Sequence, residues 1–202
     1  MCKKINAFLK KMQERQKKQR ILNFIKNNLE ILLIFMKNAY FLRGEKMLSK
    51  KFIEFLFEGA HIQRWNDHIR PNGFTELDKQ AHKMMILYIL AKYEEQDHGA
   101  KLNWRVLIEG GIFEFMHRII LTDIKPPIYH ELMRVHGRKL NAWIYSQLER
   151  RVPELDKVFF DKLKRWFDYP EENRLEKKLL RAAHYLATQW EFGIIYHFNQ
   201  AI

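Results

Sequence analysis

Cysteine is nearly absent: the 202 residues contain one, Cys2. No internal disulfide can form, so the fold must rest on its core, and the lack of a disulfide framework fits a reducing cytosol, the expected compartment. Proline and glycine are also sparse, at five and eight. β-Branched alternation is scarce, which argues against half-buried strands, whereas Leu, Lys, Glu, Met and Ala recur over long stretches. That is the composition of an all-α protein. Long apolar runs are missing too. The most apolar run of the first 46 residues, "ILLIFM" at 31–36, is interrupted by Lys37 and Asn38, far short of the ~20 apolar residues that span a bilayer. A secretory leader fits no better, because the basic stretch before that run is too long and no small-residue cleavage site follows.

What is present is positive charge, unevenly placed. The net charge is +12. Residues 1–46 hold twelve Lys/Arg and three Asp/Glu, a balance of +9; the other 156 residues hold 24 and 21, a balance of +3. A nucleic-acid or membrane-surface role therefore attaches to residues 1–46 alone. The same stretch has five asparagines, against six in all that follows. It is expected to be a basic helical extension, and three readings stay open for it. It binds a membrane or nucleic-acid surface, it packs on the body, or it lies upstream of the true start at Met47, where "MLSKKFIEFLFEGA" opens a clean amphipathic segment. The body, residues 47–202, is long enough to bury a sizeable core as one domain.

The periodicity predicts helices at about 3–41, 48–59, 75–95, 103–121, 127–150, 154–168 and 173–192. Thr75 is an N-cap candidate with Glu76 and Asp78 in the first turn, where acids suit the helix dipole. Gly99 is a helix stop, and Pro126–Pro127, Pro153 and Pro170 mark boundaries. Two polar segments interrupt the helices, "HIQRWNDHIRP" at 61–71 and "LTDIKPP" at 121–127. Loops that concentrate charged and aromatic residues between rigid helices are common sites of function.

Three helices each bring a histidine to an apolar setting. His82 shares a face with Asp78, Met85 and Ile89. Glu114 and His117 are neighbours at a spacing of three, and Gly110 one turn earlier leaves room beside the carboxylate. His184 sits between Ala183 and Ala187. Imidazoles and a carboxylate projecting from several helices are how bundles build metal sites. Each residue also has a plainer explanation. A histidine on an apolar face is usually a hydrogen-bonded core residue. Glu114 and Arg118 could form an i, i+4 ion pair, Arg64 and Trp65 a cation–π stack, and Asp123 a turn before the prolines.

The order of these residues resembles the HD-domain superfamily of metal-dependent phosphohydrolases, in the branch containing bacterial 5'-deoxynucleotidases. In that branch an Arg-Trp pair follows the first helix, a His lies on the next helix, and a His-Asp pair precedes a Gly-Asp-x-Pro-type turn. A late helix adds an Asp. Here "QRW" ends in Arg64 and Trp65, "DKQAHKM" supplies His82, "LTDIKPP" carries Asp123, and "RAAHYLA" places His184 where the family has its late Asp. The chain contains no His-Asp dipeptide; counting back from Asp123 puts that position at Glu114–Phe115. The similarity covers roughly residues 47–192.

The resemblance implies an HD-like domain of about six helices acting on a nucleotide or other small phosphate ester. It implies a divalent metal (Mn, Co, Ni, Fe or Zn) held by His82, Glu114, His117 and His184, with Asp123 as general acid/base. Arg64, Trp65 and Lys125 would contact substrate, since a guanidinium fork matches two phosphoryl oxygens. Loss of the His-Asp pair gives the rival expectation, a catalytically lapsed HD domain that binds or regulates. A small phosphorylated molecule is the expected partner, with a second copy of the chain as a further candidate.

Overall fold

The computed structural model describes residues 49–70, 74–122 and 124–199. The expectations for residues 1–46 and for Asp123 fall outside them. The described residues form six α-helices and no strand: α1 Lys50–Phe57, α2 Glu76–Asp97, α3 Trp104–Leu121, α4 Pro126–Arg151, α5 Lys157–Asp168 and α6 Arg174–Phe198. The protein is all-α, as its composition implies. No helix among the described residues is long and apolar enough to cross a membrane.

Local chemistry fixes most helix starts. The Ser49 hydroxyl accepts from the Phe52 amide, Asn103 from Val106 and Asp156 from Phe159. Thr75 caps α2 in a reciprocal box with Asp78, each side chain satisfying an amide that the helix leaves unpaired. After α2 the chain turns at Gly99, whose φ of 63° suits a residue without Cβ. The last helix extends past its expected end at 192. α6 runs on to Phe198 because Gly193, with no atom within 4 Å of an added Cβ, is carried inside the helix. α4 has non-helical angles at His136, next to Gly137.

α3 is the central helix. It packs against all five others and is therefore apolar around most of its circumference, with Leu107, Phe113, Met116, Ile119 and Ile120 all buried. Its two glycines make this approach possible. A Cβ on Gly110 would lie 2.5 Å from the Trp166 ring of α5, and one on Gly111 would lie 2.5 Å from Met84 Sδ of α2. Gly110 thus clears space for Trp166 and not, as the spacing suggests, for Glu114. Aromatic packing of Phe52 and Phe113 on Phe159 ties α1, α3 and α5 together.

α2 breaks the usual rule of burial. Its inner face carries Glu76, Lys79 and Lys83 before Leu87 and Ala91, while Met85 and Ile89 are 68% and 65% exposed. The face that His82 shares with Asp78, Met85 and Ile89 therefore points outward, the reverse of the expected orientation. Apolar residues outside are common; charged residues inside are the informative feature.

Candidate functional site

The buried charges of α2 meet those of three other segments. An isolated antiparallel bridge between Gln63 and Thr75, with the Arg64 amide donating to Phe74 O and the Glu76 amide to Ile62 O, fixes the 61–70 segment against the start of α2. Arg64 is thereby delivered into the interior. Its Nε and Nη2 donate to the Glu191 carboxylate of α6 at 3.1 and 2.9 Å, and its Nη1 donates to Glu76. Arg118 of α3 donates to the same Glu76 oxygen at 3.0 Å. Burial alone would lift the Glu76 carboxyl, but the Arg64 and Arg118 charges hold it below the ordinary range.

Trp65 donates its indole N–H to Glu191 Oε2 at 3.1 Å and takes a φ of 58°, a region a bulky residue rarely enters. Neither expected substrate contact is thus idle. Arg64 and Trp65 both hold Glu191. Lys125 lies at a separate rim, paired with Asp67 at 2.8 Å; that contact, then His68, drives the Asp67 carboxyl down to about 2. Beside this rim α3 ends at Thr122, whose φ is 59° and whose amide donates to Arg118 O.

Beneath the Arg64 cluster is a cavity of about 280 Å³, walled by Lys79, Lys83, Glu114, His117, Arg118 and His184, among others. It shares Glu114, Tyr129, His130, Phe167 and His184 with a wider recess of about 550 Å³, so the two adjoin. The outer recess is edged by Arg174, Lys177, Lys178 and Arg181 of α6 against two acids, Glu171 and Glu114, the second of them paired with Lys83. Aromatic rings of Tyr129, Trp166, Phe167 and Tyr185 complete its wall.

The four expected metal ligands do not share this cavity on equal terms. His82 is not in its wall; its ring stands edge-on to Trp190 at 4.6 Å on the outer side. Glu114 is engaged by Lys83 Nζ at 2.5 Å rather than by Arg118. His117 is buried, 4.5 Å from the Phe167 ring in a stacked contact, with Nε2 3.4 Å from Asn141 Oδ1. Burial, opposed only by the Asn141 contact, pushes its imidazole down to about 4, so it is a neutral core histidine at pH 7. His184 Nε2 lies 3.4 Å from Lys79 Nζ. Burial first, then the charges of Lys79 and Lys83, push His184 to about 3.

Among the described residues no group of three or more His, Cys, Asp or Glu converges as a metal site. The donor set therefore does not fit the implied ion. One imidazole is outside, one faces Asn141, and the remaining imidazole and carboxylate each face an ammonium.

Sequence reasoning missed Lys79, Lys83, Glu76 and Glu191. Glu191 lies seven residues after His184 and shares its helix face, and an acid there was a signal in plain view. The lysines gave no signal, because a lysine on a helix is ordinarily solvated. No protein-family model matches the chain, and no curated protein matches it.

Proposed function

We propose that the chain is an HD-like helical module that binds a small phosphate ester without a metal and does not hydrolyse it. The observation that carries this reading is the cation arrangement. A lip of Arg174, Lys177, Lys178 and Arg181 adjoins a cavity where two lysines stand beside the residues expected to hold the ion. Lysine ammonium groups supply positive charge as a divalent ion would, but they cannot lower the pKa of a bound water as a metal does. Arg and Lys at the mouth suit a phosphoryl group, and the aromatic wall suits a planar or apolar remainder. This corresponds to the lapsed form that loss of the His-Asp pair implies.

Calorimetric titration of a nucleoside 5'-monophosphate in excess EDTA tests it. Binding should persist in the chelator, weaken as salt rises, and fall at least tenfold in Lys178→Glu/Arg181→Glu with an unchanged unfolding midpoint. Release of inorganic phosphate on adding Mn, Co, Ni, Fe or Zn, abolished by EDTA, would overturn it in favour of a metal-dependent phosphohydrolase.

A further inference from the structure

Lys79 is the one charged side chain of the inner cavity with an unusual surrounding. Lys83 is neutralised by Glu114, Arg118 by Glu76, and Arg64 by Glu76 and Glu191. Lys79 is 6% exposed, and among the described residues its Nζ has no carboxylate within ion-pair distance. Its polar neighbour is the Nε2 of His184 at 3.4 Å. An amine facing an imidazole, in a cavity that adjoins a basic lip, is placed as a nucleophile and not as a structural ion.

We propose that Lys79 forms an imine with a small phosphorylated aldehyde or ketone, whose phosphate rests on the α6 lip while its carbonyl enters the inner cavity. The phosphate half of this inference rests on the phosphate-ester reading above; the amine half does not. In the step, the Nζ lone pair attacks the carbonyl carbon and the π pair moves to oxygen. Both amine protons end on that oxygen, which leaves as water, and a C=N bond remains. No oxidant or reductant is consumed. His184 is a positioning residue: as a neutral imidazole it accepts an amine N–H and aims the nitrogen lone pair.

The electrostatics agree with the geometry. Burial first, then the Arg64 charge, pushes the Lys79 amine down to about 7, against the opposing pull of Glu76 and Glu191 and with a further push from Arg118. An amine held below the ordinary lysine range is neutral at pH 7 more often than a solvated one. Depressed pKa by desolvation and neighbouring cations is how lysines are made nucleophilic.

The test is reductive trapping on the full chain. Pyridoxal 5'-phosphate at substoichiometric concentration and pH 7, followed by borohydride and peptide mapping, should label Lys79 at least tenfold faster than the median of the other lysines. That preference should shrink at pH 10. Uniform labelling at pH 7 overturns the proposal, and wild-type mapping makes this readable without any variant. Lys79→Met should abolish the selected adduct. Pyridoxal without its phosphate distinguishes the two halves. Selective but at least tenfold slower labelling supports both. Equal selectivity supports the amine and overturns the phosphate half. Binding of the monophosphate with Lys79 unlabelled overturns the imine and leaves the phosphate-ester reading standing.

Discussion

Arg64 and Glu191, 127 residues apart in sequence, meet in a buried two-pronged ion pair, with Nε and Nη2 of the guanidinium donating to one carboxylate. The pair ties the segment after α1 to the far end of α6, and the geometry depends on the planar fork. A lysine ammonium cannot reproduce it.

Arg64→Lys and Glu191→Gln should therefore act on stability first. Each leaves a buried group without its partner, a loss of ~3–5 kcal/mol, and the midpoint of thermal unfolding should fall by about 10 °C in a domain of this size. Phosphate-ester affinity, measured below that midpoint, should change little. An unchanged midpoint with affinity lost in Arg64→Lys would put the fork on the ligand, as the residue order alone suggests.

The limits of the sequence are clearest on α2. Its existence, its Thr75 cap and its end before Gly99 were all legible, because local hydrogen bonding and backbone freedom determine them. Its orientation was not. Periodicity points Met85 and Ile89 inward; packing places Lys79 and Lys83 there instead. Such an inversion is held by partners from distant segments, Glu114 on α3 for Lys83 and Arg64 and Arg118 for Glu76, and no rule of local spacing along α2 shows those pairings. Residues near the cavity were found by kind, as with Glu114, His117 and His184, while the partner each side chain would meet was not.

The two kinds of glycine on the helices should respond oppositely to alanine. At Gly110 the new Cβ would meet the Trp166 ring at 2.5 Å, and overpacking of this sort costs ~1–3 kcal/mol. At Gly193 nothing lies within 4 Å, so Gly193→Ala should gain ~0.5–1 kcal/mol from helix propensity alone. Denaturant unfolding of both variants checks the pair. A stable Gly110→Ala would mean that α3 and α5 can separate at little cost.

Acid should unfold the protein partly through His117. Its folded value of about 4 lies below the ordinary 6.5. Between those two pH values the unfolded chain binds a proton that the folded chain does not, so stability falls as pH falls across that window. A shift of this size corresponds to ~3 kcal/mol when complete. His117→Gln keeps a hydrogen-bonding group beside Asn141 but cannot titrate, and its stability should vary less between pH 6.5 and 4 than that of the wild type. Parallel pH profiles for the two proteins would remove His117 from the account.

The two inner lysines offer the sharpest contrast, since they share a helix face and differ in what they meet. Lys83 is paired with Glu114 at 2.5 Å, and Lys83→Met leaves that carboxylate, 31% exposed, without its cation. Its midpoint should fall. Lys79 faces an imidazole instead, so its burial is poorly compensated, and an apolar side chain of similar length removes a desolvation penalty without stranding a carboxylate. Lys79→Met should therefore be more stable than the wild type at pH 7, by ~1–2 kcal/mol in denaturant unfolding. The gain should shrink as pH rises from 7 toward 10.5: in that range the unfolded wild type binds a proton that the folded wild type does not, so wild-type stability climbs while the variant lacks the group. A gain at neutral pH that coincides with loss of the trapped adduct is the mark of a residue retained for chemistry at the expense of stability. A midpoint lowered by Lys79→Met would instead make Lys79 part of the ion-pair scaffold around Glu76 and Glu191.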